Sequence, residues 1–260
     1  MNKAPKGESM SNEQPNVLVT GGGSGIGEGI TRVLAARGWR VVVNDLDADR
    51  AAAVANDVGG IALPGNVDID AERLIAESVE RTGALHALVN NAGIILRSNL
   101  DTIPDDHIDR VFSVNLRAVV RLSRFALPHL ERTGGSIVNI SSIAAEISQV
   151  GGGLYSASKA GVSAFTRQAA AEWGPRGVRV NAVAPGLIRT AMAEAVYSVP
   201  ETFEKRRAMI PLRKIGRPEN IGTVVSFLLS DDAEYVSGQI IEVDGAFSHT
   251  LIGLLPHPPS

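Results

Sequence analysis

Short apolar runs alternate with amphipathic segments of helical length along almost the whole chain, and this alternation restricts the fold more than any other feature. The runs are 16–20, 40–44, 60–63, 87–90, 136–141, 178–184 and 239–243. They are rich in Val and Ile and show no period-two polarity. Strands of a parallel sheet, buried on both faces, read in this way. The intervening segments are 26–37, 47–57, 70–82, 104–131, 154–173 and 218–229, with Gly38 and Gly83 where helix-terminating glycines belong. The pattern predicts an α/β doubly wound sheet of seven parallel strands with helices on both faces. The 260 residues, 44% hydrophobic and 20% charged, suit one such domain. No linker, composition shift or repeat divides it.

The expected layout is a polar, disordered leader over 1–14, one folded domain over 15–248 and a tail over 249–260 with three prolines. Segment 190–216 breaks the alternation. Met192, Tyr197, Met209, Ile210 and Pro211 on it fit either a lid over a pocket or an extra helix pair packed in the ordinary way. A net charge of -3 argues against nucleic acid or an anionic membrane as partner. No apolar run approaches the ~20 residues that cross a bilayer, and a cytoplasmic location is expected. The absence of cysteine excludes disulfides and thiol chemistry. His86, His107, His129, His249 and His257 show no metal-ligand spacing, so no metal is expected. The basic group Lys205, Arg206, Arg207, Arg213 and Lys214 reads as a solvated face, or as a dock for an acidic carrier or carboxylate substrate.

The first strand runs into the first helix through Thr20-Gly21-Gly22-Gly23-Ser24-Gly25-Ile26-Gly27. Glycines there permit a tight turn and let the backbone approach a pyrophosphate at the positive end of a helix. Asp45 ends the second strand about twenty residues beyond that loop, where a carboxylate accepts hydrogen bonds from an adenosine ribose. It would repel a 2′-phosphate, and neither Ser24 nor Leu46 supplies a cation to hold one. NAD(H) is therefore expected in preference to NADP(H). A helix-capping role for Asp45 is the plainer reading, and one carboxylate can do both.

Tyr155 and Lys159 stand four apart, on one face of a helix. A phenol with its ordinary pKa near ~10 holds its proton at neutral pH. An ammonium about 4–5 Å away, at an effective dielectric of ~20, favours the phenolate by roughly 3–4 kcal/mol. The pair is thus a candidate proton-transfer device. An isolated Tyr-x-x-x-Lys is as a rule a solvated surface pair, so the neighbouring motifs decide.

Those motifs resemble the short-chain dehydrogenase/reductase family from residue 16 to about 247. Thr20–Gly27 resembles its cofactor loop, and Asn90-Asn91-Ala92-Gly93 its fourth-strand motif. Asn115 resembles the helix asparagine of the catalytic group. Ser142, thirteen residues before Tyr155, occupies the serine position, with Ser141 as the neighbouring alternative. Pro185-Gly186-Leu187-Ile188-Arg189-Thr190 resembles the segment that holds a nicotinamide. Asn66-Val67 departs from the Asp-Val common at the third strand, although an amide can still bond an adenine.

The resemblance implies a single-domain Rossmann fold, with Asn115, Ser142, Tyr155 and Lys159 as the catalytic set. It implies a cofactor site of Gly21, Ser24, Gly25, Ile26, Gly27, Asp45, Leu46, Asn66, Val67, Asn91, Ala92, Gly93, Tyr155, Lys159, Pro185, Gly186, Ile188 and Thr190. Tyr155 would move the proton, Ser142 would bond the substrate oxygen, and Lys159 would hold the nicotinamide ribose. Asn115 would support a water linking Lys159 to solvent. Candidate substrate contacts are Ile94, Ile95, Ala144, Gln149, Leu154, Leu187, Met192 and Tyr197, a mostly apolar set. Gly151-Gly152-Gly153 either leave room for substrate or form a turn. The expected activity is NAD(H)-dependent interconversion of a small secondary alcohol and a ketone. The alternatives are a 3-oxoacyl-carrier-protein reductase and a non-catalytic dinucleotide sensor. Family members are often homotetramers, here through helices 104–131 and 154–173 and the last strand.

Overall fold

The computed structural model describes residues 14–190 and 197–250. Residues 1–13 of the expected leader, Met192 and residues 251–260 of the expected tail lie outside the described residues. Seven strands form one parallel sheet: β1 (Asn16–Val19), β2 (Arg40–Val43), β3 (Ile61–Ala62), β4 (Ala87–Asn90), β5 (Ser136–Ile140), β6 (Arg179–Pro185) and β7 (Ile240–Val243), in the order β3-β2-β1-β4-β5-β6-β7. Helices α1 (Gly25–Ala36), α2 (Ala48–Val58), α3 (Ala71–Thr82), α4 (Asp105–Phe112), α5 (Ala118–Thr133), α6 (Tyr155–Trp173), α7 (Pro200–Met209) and α8 (Pro218–Leu229) complete the described fold.

Alternate residues of each strand feed two apolar layers. Val17 and Val19 join Val41, Val43 and Val89 against Ile30 and Leu34 of α1 and Ile221 and Val225 of α8. Leu18, Val42 and Leu88 face the other way, against Leu74 and Ile75 of α3 and Leu122 and Ala126 of α5. Strands β1, β4 and β5 are buried throughout. The edge strands β3 and β7 are only half-buried, because each lacks a neighbour on one side.

One expected helix is interrupted. Segment 104–131 is two helices joined by a wide π-type turn, Ser113–Arg117, with Asn115 fully buried at its centre. Apolar periodicity continues through such a turn, so the sequence does not show it, and turns of this kind concentrate at functional sites.

The strand order reverses between β1 and β4, and the segments that leave β1 to β6 all come out at the same end of the sheet. A crevice at such a switch point is where doubly wound sheets bind ligands. Beneath it, a buried polar ladder locks the central strands to the helices. Asn90 Nδ2 donates to Asn139 Oδ1 (2.8 Å) and to Ser123 Oγ (3.0 Å), and Asn139 Nδ2 donates to Thr166 Oγ1 (2.9 Å) on α6.

Asn139 is fully buried, so Asn139→Leu leaves the Asn90 amide and the Thr166 hydroxyl each short of a partner. Urea unfolding is expected to show a loss of about 1–3 kcal/mol. A change below about 0.5 kcal/mol, the range of ordinary surface substitutions, would show that the ladder contributes nothing.

Candidate active site

The cofactor end is built by the turn from β1 into α1. Gly21 has φ +61°, and Gly27 lies so close to it that a Cβ there would stand 1.9 Å from the Gly21 carbonyl oxygen. Asn91 fixes the turn from the next strand, donating through Nδ2 to Thr20 O (2.9 Å) and Gly21 O (3.1 Å). Ser24 is the N-cap of α1, but its side chain makes no capping bond. The first-turn N–H groups of this 12-residue helix therefore lack a side-chain acceptor where they meet the cleft, which suits an anion.

The plainer reading of Asp45 is corrected, because Asp47 caps α2 instead. Asp47 Oδ1 accepts from the Asp49 and Arg50 N–H groups, each at 3.1 Å. Asp45 is held elsewhere: Oδ2 accepts from Gly23 N (3.0 Å) and Oδ1 from Asp47 N (3.1 Å). Its carboxylate thus belongs to the glycine loop. Asn66 closes its own turn, with Oδ1 accepting from Asp68 N at 2.9 Å.

At the catalytic end, Lys159 is almost fully buried, and its Nζ donates to the Ile140 carbonyl at 2.7 Å. Burial holds the ammonium at a pKa of about 8, well below its ordinary value. The Nζ lies 5.7 Å from the centre of the Tyr155 ring. Burial pushes the Tyr155 phenol up, and a hydrogen bond with Ser142 partly offsets this. In this structure, then, the expected relief by Lys159 does not set the tyrosine's balance. The attraction within the pair is opposed by the cost of removing both groups from water.

The two candidate serines separate cleanly. Ser141 Oγ bonds Lys159 O (3.1 Å) and Ser163 Oγ (2.9 Å), tying the end of β5 to α6. Ser142 Oγ accepts from Ala144 N at 3.1 Å and meets Tyr155. Asn115 does not line the cleft. Its Oδ1 accepts from Ile94 N (2.8 Å), and its Nδ2 donates to Ile94 O (2.9 Å) and Ser158 Oγ (3.0 Å). A Cβ on Gly93 would stand 3.4 Å from both Asn115 Oδ1 and Lys159 Nζ, so both side chains come close to the Gly93 backbone.

These groups share one cleft of about 1140 Å³. Every expected cofactor residue lines it except Ile188, whose side chain is buried in the core. Beside Ile188, Leu187 O and Arg189 N bond Gly216 (2.9 and 2.8 Å), closing the base of segment 190–216. Ile94 and Ile95 line the cleft, but Ala144, Gln149, Leu154, Leu187 and Tyr197 do not. Gln149 is exposed in a turn and accepts from Gly152 N, and Leu154 caps α6. Tyr197 is buried beside Phe203 under Arg206. Gly153 N bonds Ser98 O at 3.1 Å, so the three glycines form a pinned turn. On α7, Lys205 and Arg207 pair with Glu201 and Glu204. Among the described residues no cluster of His, Cys, Asp or Glu could hold a metal, and no helix is long and apolar enough to cross a membrane. Sequence reasoning missed Arg50, Asp109, Arg110, Ser113 and Val114, all of which line the cleft from helices or the turn after one.

Fold and site together define a dinucleotide-binding oxidoreductase class. The family model described as Enoyl-(Acyl carrier protein) reductase matches residues 21–248. The chain is 37% identical over 239 residues to a 3-oxoacyl-(acyl-carrier-protein) reductase FabG of Thermotoga maritima, covering 88% of this chain and 95% of that one. It is 38% identical over 239 residues to the enzyme of the same name in Staphylococcus aureus, covering 88% and 96%. A solved short-chain type dehydrogenase/reductase from Mycobacterium ulcerans superposes with a TM-score of 0.86 at 30% identity, covering 91% of this chain and 90% of that one. The chain belongs to the short-chain dehydrogenase/reductase family.

Because the unfolded lysine keeps its proton up to about pH 10.5 and the folded one only to about 8, stability falls as pH drops through that window. Below pH 8 the folded state carries the full cost of the buried charge. Lys159→Met removes that cost. At pH 7 its melting temperature is expected to equal or exceed the parent's, with the gap closing by pH 10. A variant less stable by more than about 1 kcal/mol, the scale of one lost hydrogen bond, at both pH values would contradict the burial argument.

Proposed function

We propose that this oxidoreductase uses NAD(H) to interconvert a secondary alcohol and a ketone. The observation that carries the reading is the meeting of Tyr155, Ser142 and buried Lys159 in the same cleft as the uncapped start of α1. A dinucleotide fits this chain because the glycine turn presents backbone and a helix N-terminus, with no side chain in between. When bound, the nicotinamide supplies or accepts the hydride.

Gly21, Ser24, Gly25, Ile26 and Gly27 would hold the pyrophosphate, and Asp45 with Leu46 the adenosine ribose. Asn66 and Val67 would face the adenine. Asn91, Ala92, Gly93 and Lys159 would hold the second ribose, and Pro185 and Gly186, the backbone of Ile188 and the hydroxyl of Thr190 the carboxamide. Asp45 favours NAD(H) by meeting a 2′-phosphate with a like charge.

Ser142 would donate to the substrate oxygen, and Tyr155 would pass it a proton during reduction. The raised phenol suits that direction, since Tyr155 starts protonated. The phenolate left behind faces Lys159, which carries its charge only below about pH 8. Ile94 and Ile95 give the substrate end an apolar wall. A 3-oxoacyl thioester is the second reading, supported by the names of the two bacterial relatives. A homotetramer formed through α5, α6 and β7, located in the cytoplasm, is part of the same proposal.

Tyr155→Phe is expected to abolish turnover in a panel of alcohols, ketones and a 3-oxoacyl thioester, run with NAD and NADP in parallel, while calorimetry still detects cofactor binding. Residual activity above a few per cent (about 2 kcal/mol of barrier) would remove Tyr155 as the acid–base group. The parent's reductive kcat is expected to hold up to about pH 8 and then fall as Lys159 loses its proton. A rate unchanged to pH 10 would contradict this.

A further inference from the structure

Segment 94–98 forms an apolar wall of the cleft through Ile94 and Ile95, and two separate links tie it to the start of α6, where Tyr155 stands. The first link leaves from its beginning. Asn115 bonds both backbone groups of Ile94, and its Nδ2 also donates to Ser158 Oγ (3.0 Å). The Ser158 hydroxyl in turn donates to the Tyr155 carbonyl at 2.7 Å. The second link leaves from the end of the segment. Ser98 bridges Gly152 in parallel, Ser98 O accepts from Gly153 N (3.1 Å), and Gly152 O accepts from Tyr155 N (3.3 Å). The N–H and the C=O of Tyr155 are thus each tied to the wall. We propose that Ser158 and Gly153 are positioning residues, which lock the substrate wall and the acid–base group into one body. This rests on the reading of Tyr155 above and deepens it.

Three observations support the assignment. First, neither residue lines the cleft, so each acts through the Tyr155 backbone. Second, Ser158 is fully buried, and its hydroxyl accepts one bond and donates another. Alanine there breaks the link in both directions. Third, Gly153 has φ +59°, which a side chain disfavours. A Cβ there would stand 2.7 Å from Leu96 O and 3.1 Å from Ser98 Oγ, so any other residue wedges the wall away from α6. A displacement of about 1 Å between reacting groups costs on the order of a hundredfold in rate. The links hold opposite ends of one short segment. Either one alone keeps the wall tethered, and loss of both frees it.

The test compares the parent, Ser158→Ala, Gly153→Ala and the double variant, with whichever substrate and cofactor of the panel above the parent turns over. Each single variant is expected to lower kcat about three- to tenfold, the scale of one lost hydrogen bond, with cofactor affinity by calorimetry within about twofold of the parent. The double variant is expected to lose at least about threefold more than the product of the singles, because the links share one load. Amide hydrogen exchange at Ile94 is expected to quicken in Ser158→Ala. Should Gly153→Ala not fold, Ser158→Ala decides alone through kcat and Ile94 exchange. A lower melting temperature with both of these unchanged would make Ser158 an ordinary packing residue and overturn the proposal. So would losses in the double variant that simply multiply, or a fall in cofactor affinity matching the fall in kcat. Each of these leaves the reading of Tyr155 standing while Tyr155→Phe is inactive, whereas an active Tyr155→Phe or a parent without turnover would overturn both.

Discussion

The site depends on one seam, where the end of β5 meets the first turns of α6. Lys159 crosses it to donate to the Ile140 carbonyl, and Ser141 crosses back to the Lys159 carbonyl and the Ser163 hydroxyl. These bonds fix how α6 sits on the sheet, and with it where Tyr155 stands relative to Ser142. The deeper ladder from Asn90 through Asn139 to Thr166 holds the same helix one layer down. An amine with few partners, buried among carbonyls and apolar strands, is a poor choice for stability. Its cost is the source of its use, because burial brings its proton into the range where it can answer to the tyrosine.

The two ends of the cleft are organised on different physics. At the catalytic end, desolvation dominates: it raises the phenol and lowers the amine. At the adenosine end the charged groups are half-buried or exposed, and backbone geometry dominates. The glycine turn, the uncapped start of α1 and the placement of Asp45 by two backbone N–H groups position charge without burying it. Cofactor choice at that end is correspondingly a matter of small differences between neighbouring charges, which single substitutions can tip.

What was legible in the sequence follows the same division. Strands with buried faces, the glycine turn and the Tyr155–Lys159 spacing are local patterns, and the structure places them as read. The choice between Ser141 and Ser142 rests in the structure on which hydroxyl the helix already uses, a contact 22 residues away in sequence. The wide turn at Asn115 is hidden because apolar periodicity runs through it. Asp47 rather than Asp45 caps α2, since which carboxylate turns back on the helix depends on the loop. Substrate contacts were the least legible. Ala144, Gln149, Leu154 and Leu187 stand near the site in sequence but face turns or packing, whereas Arg50 and Asp109 reach the cleft from helices.

The central claim is that burial of Lys159 beside Tyr155 holds its ammonium far below the ordinary lysine range. The direct measurement is an NMR titration of lysine side chains in the free enzyme, with Lys159 assigned by its absence in a Lys159→Met variant. A midpoint near pH 8 is the expected result, and a midpoint near the ordinary 10.5 would contradict the account.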